Sequence, residues 1–232
     1  MNIVGEGIPD FVSKQILARQ KIHGSGYIQS RSPMELMYLN GNTSWCKLVS
    51  GVNVNNTNEL AKRYPLFNST SPNNNILRGG ISFNNSIHPE QAAYGIGGNE
   101  FGINAPMGII SATINYENRG SIRKANVKIK AFNRNQFDII DILYLRLGFT
   151  MFLEWGHSMY LLKDQNDNEG LFNINITLAE EFLEGKLYSS EILQYIDFYK
   201  INRYQGNYDA MLGRVSNFNY VFNKDGSYDI DL

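Results

Sequence analysis

Apolar and polar residues alternate along two neighbouring segments near the middle of the chain. In the first segment Ile110, Ala112, Ile114 and Tyr116 are separated by single polar residues. After a short polar turn the alternation resumes over residues 124–131, where Lys and Asn alternate with Ala, Val and Ile. Successive strand side chains point to opposite faces of a sheet, so this pattern predicts a long antiparallel hairpin with one solvated face.

The hydrophobic period changes in the segment after this hairpin. Apolar residues now recur every three or four positions, which predicts a helix lying on the sheet and ending at Gly148. Residues 151–155 then alternate again and predict a second strand pair. Five residues of this unit are expected to anchor the core: Phe137, Ile140, Tyr144, Leu147 and Trp155.

The N-terminal region is predicted to hold two helices and a strand. Residues 9–22 begin with a proline and carry apolar residues on one face, which is typical of a helix. Ser32 and Glu35 stand at the spacing of a capping box, so a second helix should begin at Ser32. Residues 45–54 alternate well enough to form a strand.

The rest of the chain divides into a polar arm and a C-terminal α+β part. Residues 55–102 are rich in Asn, Gly, Ser and Pro, and we expect short strands and arms there. Further on, the patterns predict a short strand over 172–178, helices over 178–185 and 189–203, a break over 206–213, and a last hairpin over 218–232.

Together these patterns predict an α+β fold. Antiparallel sheet is expected to curl into a barrel-like layer with helices packed outside it. The predicted divisions are a helical N-terminal region with the first strand (1–54), an Asn/Gly-rich arm (55–105) and an α+β core (106–232). The last strand of that core is expected to be cut short by the end of the chain.

Composition removes several classes of function. The 232-residue chain has a formal net charge of −1 and a pI near 6.3, whereas dedicated nucleic-acid-binding domains usually carry a strong basic excess. No run of about 18 apolar residues suggests a membrane span. Cys46 is the only cysteine, which rules out an intrachain disulfide and metal motifs that need two cysteines.

The motifs that suggest metal or nucleotide binding do not meet their templates. Residues 164–175 begin like a calcium loop but carry Glu169 and Asn175 where that loop needs Gly and Glu. The glycines of residues 94–98 lack the third glycine and the following helix of a dinucleotide fingerprint. The sequence therefore predicts no metal ion and no cofactor.

Glu154 and His157 form the cluster that most resembles a catalytic site. No nucleophile elbow accompanies them, so a structural role is favoured for both residues. Glu154 is expected to pair with Arg146 or with a neighbouring subunit. A small hydrolase that uses Glu154 and His157 remains the weaker alternative.

Basic residues are numerous along the predicted hairpin. A solvated sheet face accounts for most such stripes, and lysines also protect an edge strand from unwanted pairing. The alternative is contact with an acidic partner or with passing DNA. The candidate interface or channel-facing residues are Arg119, Arg123, Lys124, Lys128, Lys130 and Arg134.

Several of these segments resemble a family of bacteriophage tail structural proteins, the hub and baseplate-hub proteins of crAss-like and other large tailed phages. The resemblance is carried by the Pro-x-Gly-Ile-x-x-Ala strand from Pro106, the turn and strand at 120–125, and the Leu-Tyr-Leu-Arg-Leu-Gly to Leu-Glu-Trp-Gly run at 143–156. It extends to residues 18–20, 39–45, 49–53 and 215–232, and so covers most of the chain.

This resemblance implies a tail-tube-type domain without catalytic residues. Its expected role is structural: a homo-oligomeric ring in the tail of the virion, assembled in the host cytoplasm with other tail proteins. DNA would pass through the ring without sequence-specific binding. The alternative from the residues themselves is a carbohydrate- or receptor-binding module, which would use Phe218, Tyr220, Phe222 and Tyr228 of the last hairpin.

Overall fold

The computed structural model describes residues 7–24, 31–52, 76–80, 107–118, 122–163, 169–174, 177–183, 185–187 and 190–232. The strands are β1 (Ser44–Ser50), β2 (Leu77–Gly80), β3 (Gly108–Glu117), β4 (Ile122–Ala131), β5 (Thr150–His157), β6 (Met159–Lys163), β7 (Glu169–Asn173), β8 (Tyr208–Arg214), β9 (Asn219–Phe222) and β10 (Tyr228–Asp231). The helices are α1 (Asp10–Gly24), α2 (Pro33–Gly41), α3 (Arg134–Leu143), α4 (Leu178–Leu183) and α5 (Ile192–Phe198), which continues into a π-helical turn, Tyr199–Arg203.

The strands form three antiparallel sheets, which confirms the predicted α+β class. The central sheet has the order β2-β1-β5-β8, the outer sheet has the order β3-β4-β10-β9, and the small sheet pairs β6 with β7. The described strands close no barrel. The first strand, β1, lies inside the central sheet beside β5, so the N-terminal region shares a sheet with the later α+β part.

Both faces of the central sheet are buried. Towards the outer sheet and α3 lies the outer core, which contains Leu48, Ile129, Ile140, Leu153 and Ile230. On the opposite face, α4, α5 and the π-helical turn cover the helix-side core, which contains Trp45, Val49, Phe152, Leu178 and Tyr208. Strands buried on both faces have apolar residues at successive positions, and β5 has this character in Met-Phe-Leu.

The N-terminal helices pack on the small sheet. Ile22, Tyr38 and Leu161 form a third, smaller apolar cluster there. Helix α2 begins with the predicted capping box: Ser32 Oγ accepts from Glu35 N–H, and the Glu35 carboxylate accepts from Ser32 N–H. None of the helices in the described ranges is long and apolar enough to cross a membrane.

The long hairpin is confirmed, with one correction at its first strand. Ile109 pairs with Ile129 and is buried, but the next pair is Ser111 with Lys128, so Ile110 is the additional residue of a β-bulge. Ile110 was expected on the apolar face and is instead 63% exposed. The alternation of apolar and polar residues could not predict this β-bulge, because Ile109 and Ile110 are equally apolar.

Of the expected core anchors, Phe137, Ile140 and Tyr144 are buried and Trp155 is half-buried against the outer core. Leu147 is wrong as an anchor, since 65% of its surface is exposed. The helix ends at Leu143 with Tyr144 as its C-cap, so Leu147 lies in the following turn.

Other boundaries also differ from the predictions. Strand β5 does not pair with β6; its neighbours are β1 and β8. The helix predicted over 189–203 ends at Arg203, before the segment 206–213 that is expected to break it. The strand β8, which forms in that segment and completes one edge of the central sheet, is not predicted. The short strand expected over 172–178 lies earlier, as β7. The last hairpin is confirmed, with β9 and β10 in register from Phe222 and Tyr228.

Candidate functional site: the outer sheet and its edges

The solvent-facing side of the outer sheet carries charges of both signs. Lys128 lies directly opposite Asp231, and Lys130 lies opposite Asp229 on β10. The Nζ of Lys130 donates to Asp229 Oδ1 at 2.7 Å, and this contact lowers the pKa of Asp229. Strand β10 therefore offsets the lysines of β4, and the expected basic stripe is a mixed-charge surface at this end.

The remaining stripe residues are in several different places. Lys124 and Lys128 are exposed on the solvent face, and Arg134 is an exposed residue of α3 that donates to Asp138 Oδ1 at 2.7 Å. Arg123 does not belong to this face, because it stands next to Lys124 on a strand and so points the other way. Arg119 lies outside the described residues.

Arg123 is turned towards the central sheet. Its Nη1 donates to the carbonyl oxygen of Ala210 at 3.0 Å and lies 3.4 Å from Asp209 Oδ1. Its guanidinium also lies 5.4 Å from the ring centre of Tyr116, within the range of a cation–π contact. Arg123 therefore connects the outer sheet to the central sheet. Its side chain does not point to the solvent-facing side that would line a channel.

Both edges of the outer sheet expose apolar side chains. On the edge strand β3 these are Ile110 and Tyr116, 63% and 53% exposed. On the opposite edge strand, β9, Val221 and Phe222 are 55% and 63% exposed, with Tyr220 beside them at 48%. Among the described strands, β3 pairs only with β4, and β9 pairs only with β10.

The aromatic residues of the last hairpin stack against α3. Phe137 lies 4.2 Å from the ring centre of Tyr228 and 4.8 Å from that of Tyr220. Phe222 makes a further, tilted ring contact, with its ring centre 4.9 Å from that of Tyr228. Phe218 is half-buried against the outer core. The exposed part of this group, Tyr220 and Phe222, lies at the same edge as Val221.

A cavity of about 420 Å³ separates one end of the central sheet from β3. Cys46, Trp155, His157 and Asp209 line its central-sheet side. Burial raises the pKa of the Cys46 thiol, whereas burial and the charge of Arg19 lower the pKa of His157. At neutral pH both groups are therefore uncharged, and Cys46 is a protonated thiol of low nucleophilicity.

Glu154 and His157 do not form a pair. They stand three positions apart on β5, so their side chains point to opposite faces of the central sheet. His157 faces the cavity, whereas Glu154 is fully buried under α4. Glu154 does not pair with Arg146 either, because Arg146 binds Asp141 through two contacts of 2.8 Å.

Glu154 belongs to a buried ion cluster, which we define as Lys47, Glu154, Thr177, Glu180 and Tyr208. The Nζ of Lys47 donates to Thr177 Oγ1 and to Glu180 Oε1, both at 2.7 Å, and lies 3.7 Å from Glu154 Oε1. Tyr208 OH and the backbone N–H of Leu178 donate to Glu154 Oε2 at 2.8 and 3.0 Å. Thr177 Oγ1 donates to Glu180 Oε2 at 2.6 Å.

The two carboxyl groups of this cluster are tuned in opposite directions. Burial raises the pKa of Glu154, and the neighbouring Glu180 charge adds to the rise. Burial also acts on Glu180, but the charge and hydrogen bond of Lys47, together with the hydrogen bond of Thr177 and a backbone hydrogen bond, lower the pKa of Glu180. Glu154 is thus the carboxyl group of the cluster that takes up a proton more readily, and Glu180 is the one that loses its proton more readily.

Sequence reasoning did not find Lys47, Thr177, Glu180 or Tyr208. A signal was present, since Lys47 and Glu154 are single charged residues flanked on both sides by apolar residues of their strands. They are cross-strand partners in the β1–β5 register, although 107 positions separate them in sequence.

The calcium-like segment 164–168 and the glycine-rich segment 94–98 lie outside the described residues. No group of metal ligands occurs in the described ranges.

Comparison with protein-family models, curated proteins and solved structures finds no match for this chain.

Proposed function

We propose that this chain is a structural subunit of a bacteriophage tail hub or baseplate, and that copies of it join into a ring around the DNA-ejection channel. The resemblance of its sequence segments to tail-hub proteins suggests this role. The observation that carries the proposal is the arrangement of the two edges of the outer sheet.

Strands β3 and β9 run antiparallel to one another. The order is β3-β4-β10-β9, and every neighbouring pair is antiparallel, so the two edge strands point in opposite directions. If β9 of one copy lies beside β3 of the next, the antiparallel alternation continues unbroken from subunit to subunit. Head-to-tail contacts of this kind generate rings when the rotation closes. The barrel-like layer would then be built between subunits.

The side chains at the edges suit such a contact. Ile110 and Tyr116 on β3, with Val221 on β9, offer apolar surface on strand edges that no other described strand covers, a combination that favours pairing with another strand. The mixed charge of the solvent-facing side suits a channel that lets DNA pass. A protein that neutralises many phosphates holds DNA by releasing counterions, and Asp229 and Asp231 reduce that neutralisation.

The test is the native mass of the purified protein, with negative-stain imaging, alone and after mixing with tail proteins. We expect closed rings in one of the two samples. Val221→Lys introduces a charge at the β9 edge and should reduce the assembly to monomers. Leu147→Lys is the matched control, because Leu147 is similarly exposed but lies in the turn after α3 and on neither edge strand. A wild-type monomer that ignores tail proteins would contradict the proposal.

A carbohydrate- or receptor-binding module is the second candidate function. The observation that favours it is the exposed pair Tyr220 and Phe222, which make tilted ring contacts with Phe137 and Tyr228. Flat aromatic faces bind sugar rings, and side chains held by such contacts lose less entropy on binding. In this case Tyr220→Ala should abolish binding to a glycan array and leave the native mass unchanged.

A further inference from the structure

We propose that the buried ion cluster is a self-modification site, in which Lys47 Nζ and the side-chain carboxyl of Glu154 condense into an isopeptide bond that ties β1 to β5. This inference is independent of the proposed function, since it concerns chemistry within one subunit. It rests on the placement of three groups: an amine, a carboxyl group that can be attacked, and a second carboxylate that can accept a proton.

The amine and its target are held together by the sheet. Lys47 and Glu154 are directly opposite in the β1–β5 register, and their side chains project into the same core with 2% and 0% exposure. The Lys47 Nζ lies 3.7 Å from Glu154 Oε1, a buried oxygen that has no hydrogen-bond partner among the described residues. Such proximity replaces a bimolecular encounter, an advantage equivalent to very high effective molarity.

Glu154 is arranged as an electrophile. Its Oε2 accepts from Tyr208 O–H and from Leu178 N–H, two donors aimed at the oxygen on which negative charge would develop. Fixed donors of this kind are the main device for stabilising a tetrahedral intermediate. The raised pKa of Glu154 is consistent with this role, since a protonated carboxyl loses water more readily than a carboxylate.

Glu180 is arranged as the base. Its Oε1 accepts from Lys47 Nζ at 2.7 Å, within the reach of direct proton transfer. Arg78 Nη2 lies 3.7 Å from the same oxygen and places a second positive charge near Glu180. Two carboxyl groups with pKa values pushed apart are the usual pattern of an acid and base assignment.

The reaction balances without any further reagent. Glu180 takes a proton from the Lys47 ammonium group, and the neutral amine attacks Cδ of protonated Glu154. The new C–N bond forms, the bond from Cδ to Oε1 breaks, and Oε1 leaves as water with two protons. One proton stays on the amide nitrogen and one stays on Glu180. The charges of Lys47 and Glu180 are both lost, so the cluster is neutral before and after.

The experiment is the intact mass of the denatured full chain, followed by sequencing of its proteolytic peptides. We expect a mass one water below the sequence mass and a branched peptide that joins the segments around Lys47 and Glu154. A full sequence mass with only linear peptides would overturn the proposal. A dehydrated Asp225-Gly226 turn would also remove one water, but it gives no branched peptide.

Variants assign the three roles. Lys47→Arg should restore the full mass, whereas the matched exposed variant Lys124→Arg should keep the cross-link. Glu154→Gln should lose ammonia in place of water if Glu154 is the acyl partner. Glu180→Gln should leave the chain largely unlinked while its circular dichroism stays that of the wild type. A cross-link that forms equally in Glu180→Gln would exclude Glu180 as the base.

Discussion

Arg123 on the outer sheet contacts Asp209 on the edge strand of the central sheet, with 3.4 Å between Nη1 and Oδ1. Asp209 also accepts from Lys200 Nζ at 2.7 Å, so one carboxylate joins the outer sheet to the π-helical turn on the other side. The half-buried position of Arg123 makes this a contact between layers rather than a surface ion pair.

Replacing Arg123 should therefore weaken the contact between the sheets. We expect Arg123→Met to lower the free energy of unfolding by about 1–2 kcal/mol, because the Ala210 carbonyl and Asp209 each lose a donor. Urea unfolding measures this change. Lys124→Met, on the opposite face of the same strand, should change stability by less than ~0.5 kcal/mol. Equal effects of the two variants would contradict the assigned direction of Arg123.

The cavity histidine should make stability depend on pH. Burial and Arg19 lower the pKa of His157 below its ordinary 6.5, so the unfolded chain binds its proton more readily. The stability that neutral His157 contributes is fully present above the pKa of this residue in the unfolded chain. It is lost as pH falls from that value towards the pKa of His157 in the folded chain. Urea unfolding from about pH 7.5 to about pH 5 should show the loss. His157→Gln should reduce this loss.

Substitution of two glycines with positive φ separates the cost of backbone strain from the cost of a steric clash. Gly80 has φ +75°, and a Cβ there would collide with the Ser44 carbonyl oxygen and lie 2.9 Å from Trp45 Cα. Gly226 has φ +83° with open space around it. We expect Gly226→Ala to cost about 1 kcal/mol and Gly80→Ala more than ~2 kcal/mol. Hydrogen exchange of the β1–β2 pair should rise in Gly80→Ala alone.

The end of α3 can be tested with two leucines four positions apart. Leu143 is 1% exposed, and Leu143→Ala should cost about 2–5 kcal/mol through the cavity it leaves. Leu147→Ala should change stability by less than ~0.5 kcal/mol. Thermal unfolding of the two variants compares them directly. A large loss of stability in Leu147→Ala would contradict the end of α3 at Leu143 and would support the longer helix that the hydrophobic spacing predicts.

Local signals in the sequence were sufficient where one segment determines its own structure. The capping box at Ser32 and Glu35 needs only four residues, and the β9–β10 hairpin needs only its turn and its alternation. The predictions failed where contacts with a segment distant in sequence determine the local structure. Strand β8 forms because β5 offers an edge, although Gly206 before it and Gly213 within it indicate only the end of the preceding helix.

The candidate site also combines features that a local segment of sequence shows with features that depend on distant segments. The basic residues of β4 were visible in the sequence, but their neutralisation by Asp229 and Asp231 depends on a strand about 100 residues later. The buried ion cluster draws on β1, β5, β8 and α4, which no local window contains. Only the isolated charges of Lys47 and Glu154 within apolar strands indicated that something must compensate them.

Strand β5 has its alternate side chains in different cores, with Phe152 on one side and Leu153 on the other. Neither core can lose its packing while the other keeps a native β5 backbone. The two layers should therefore melt in a single cooperative transition, and a load applied to one face of the subunit reaches the opposite face through one strand.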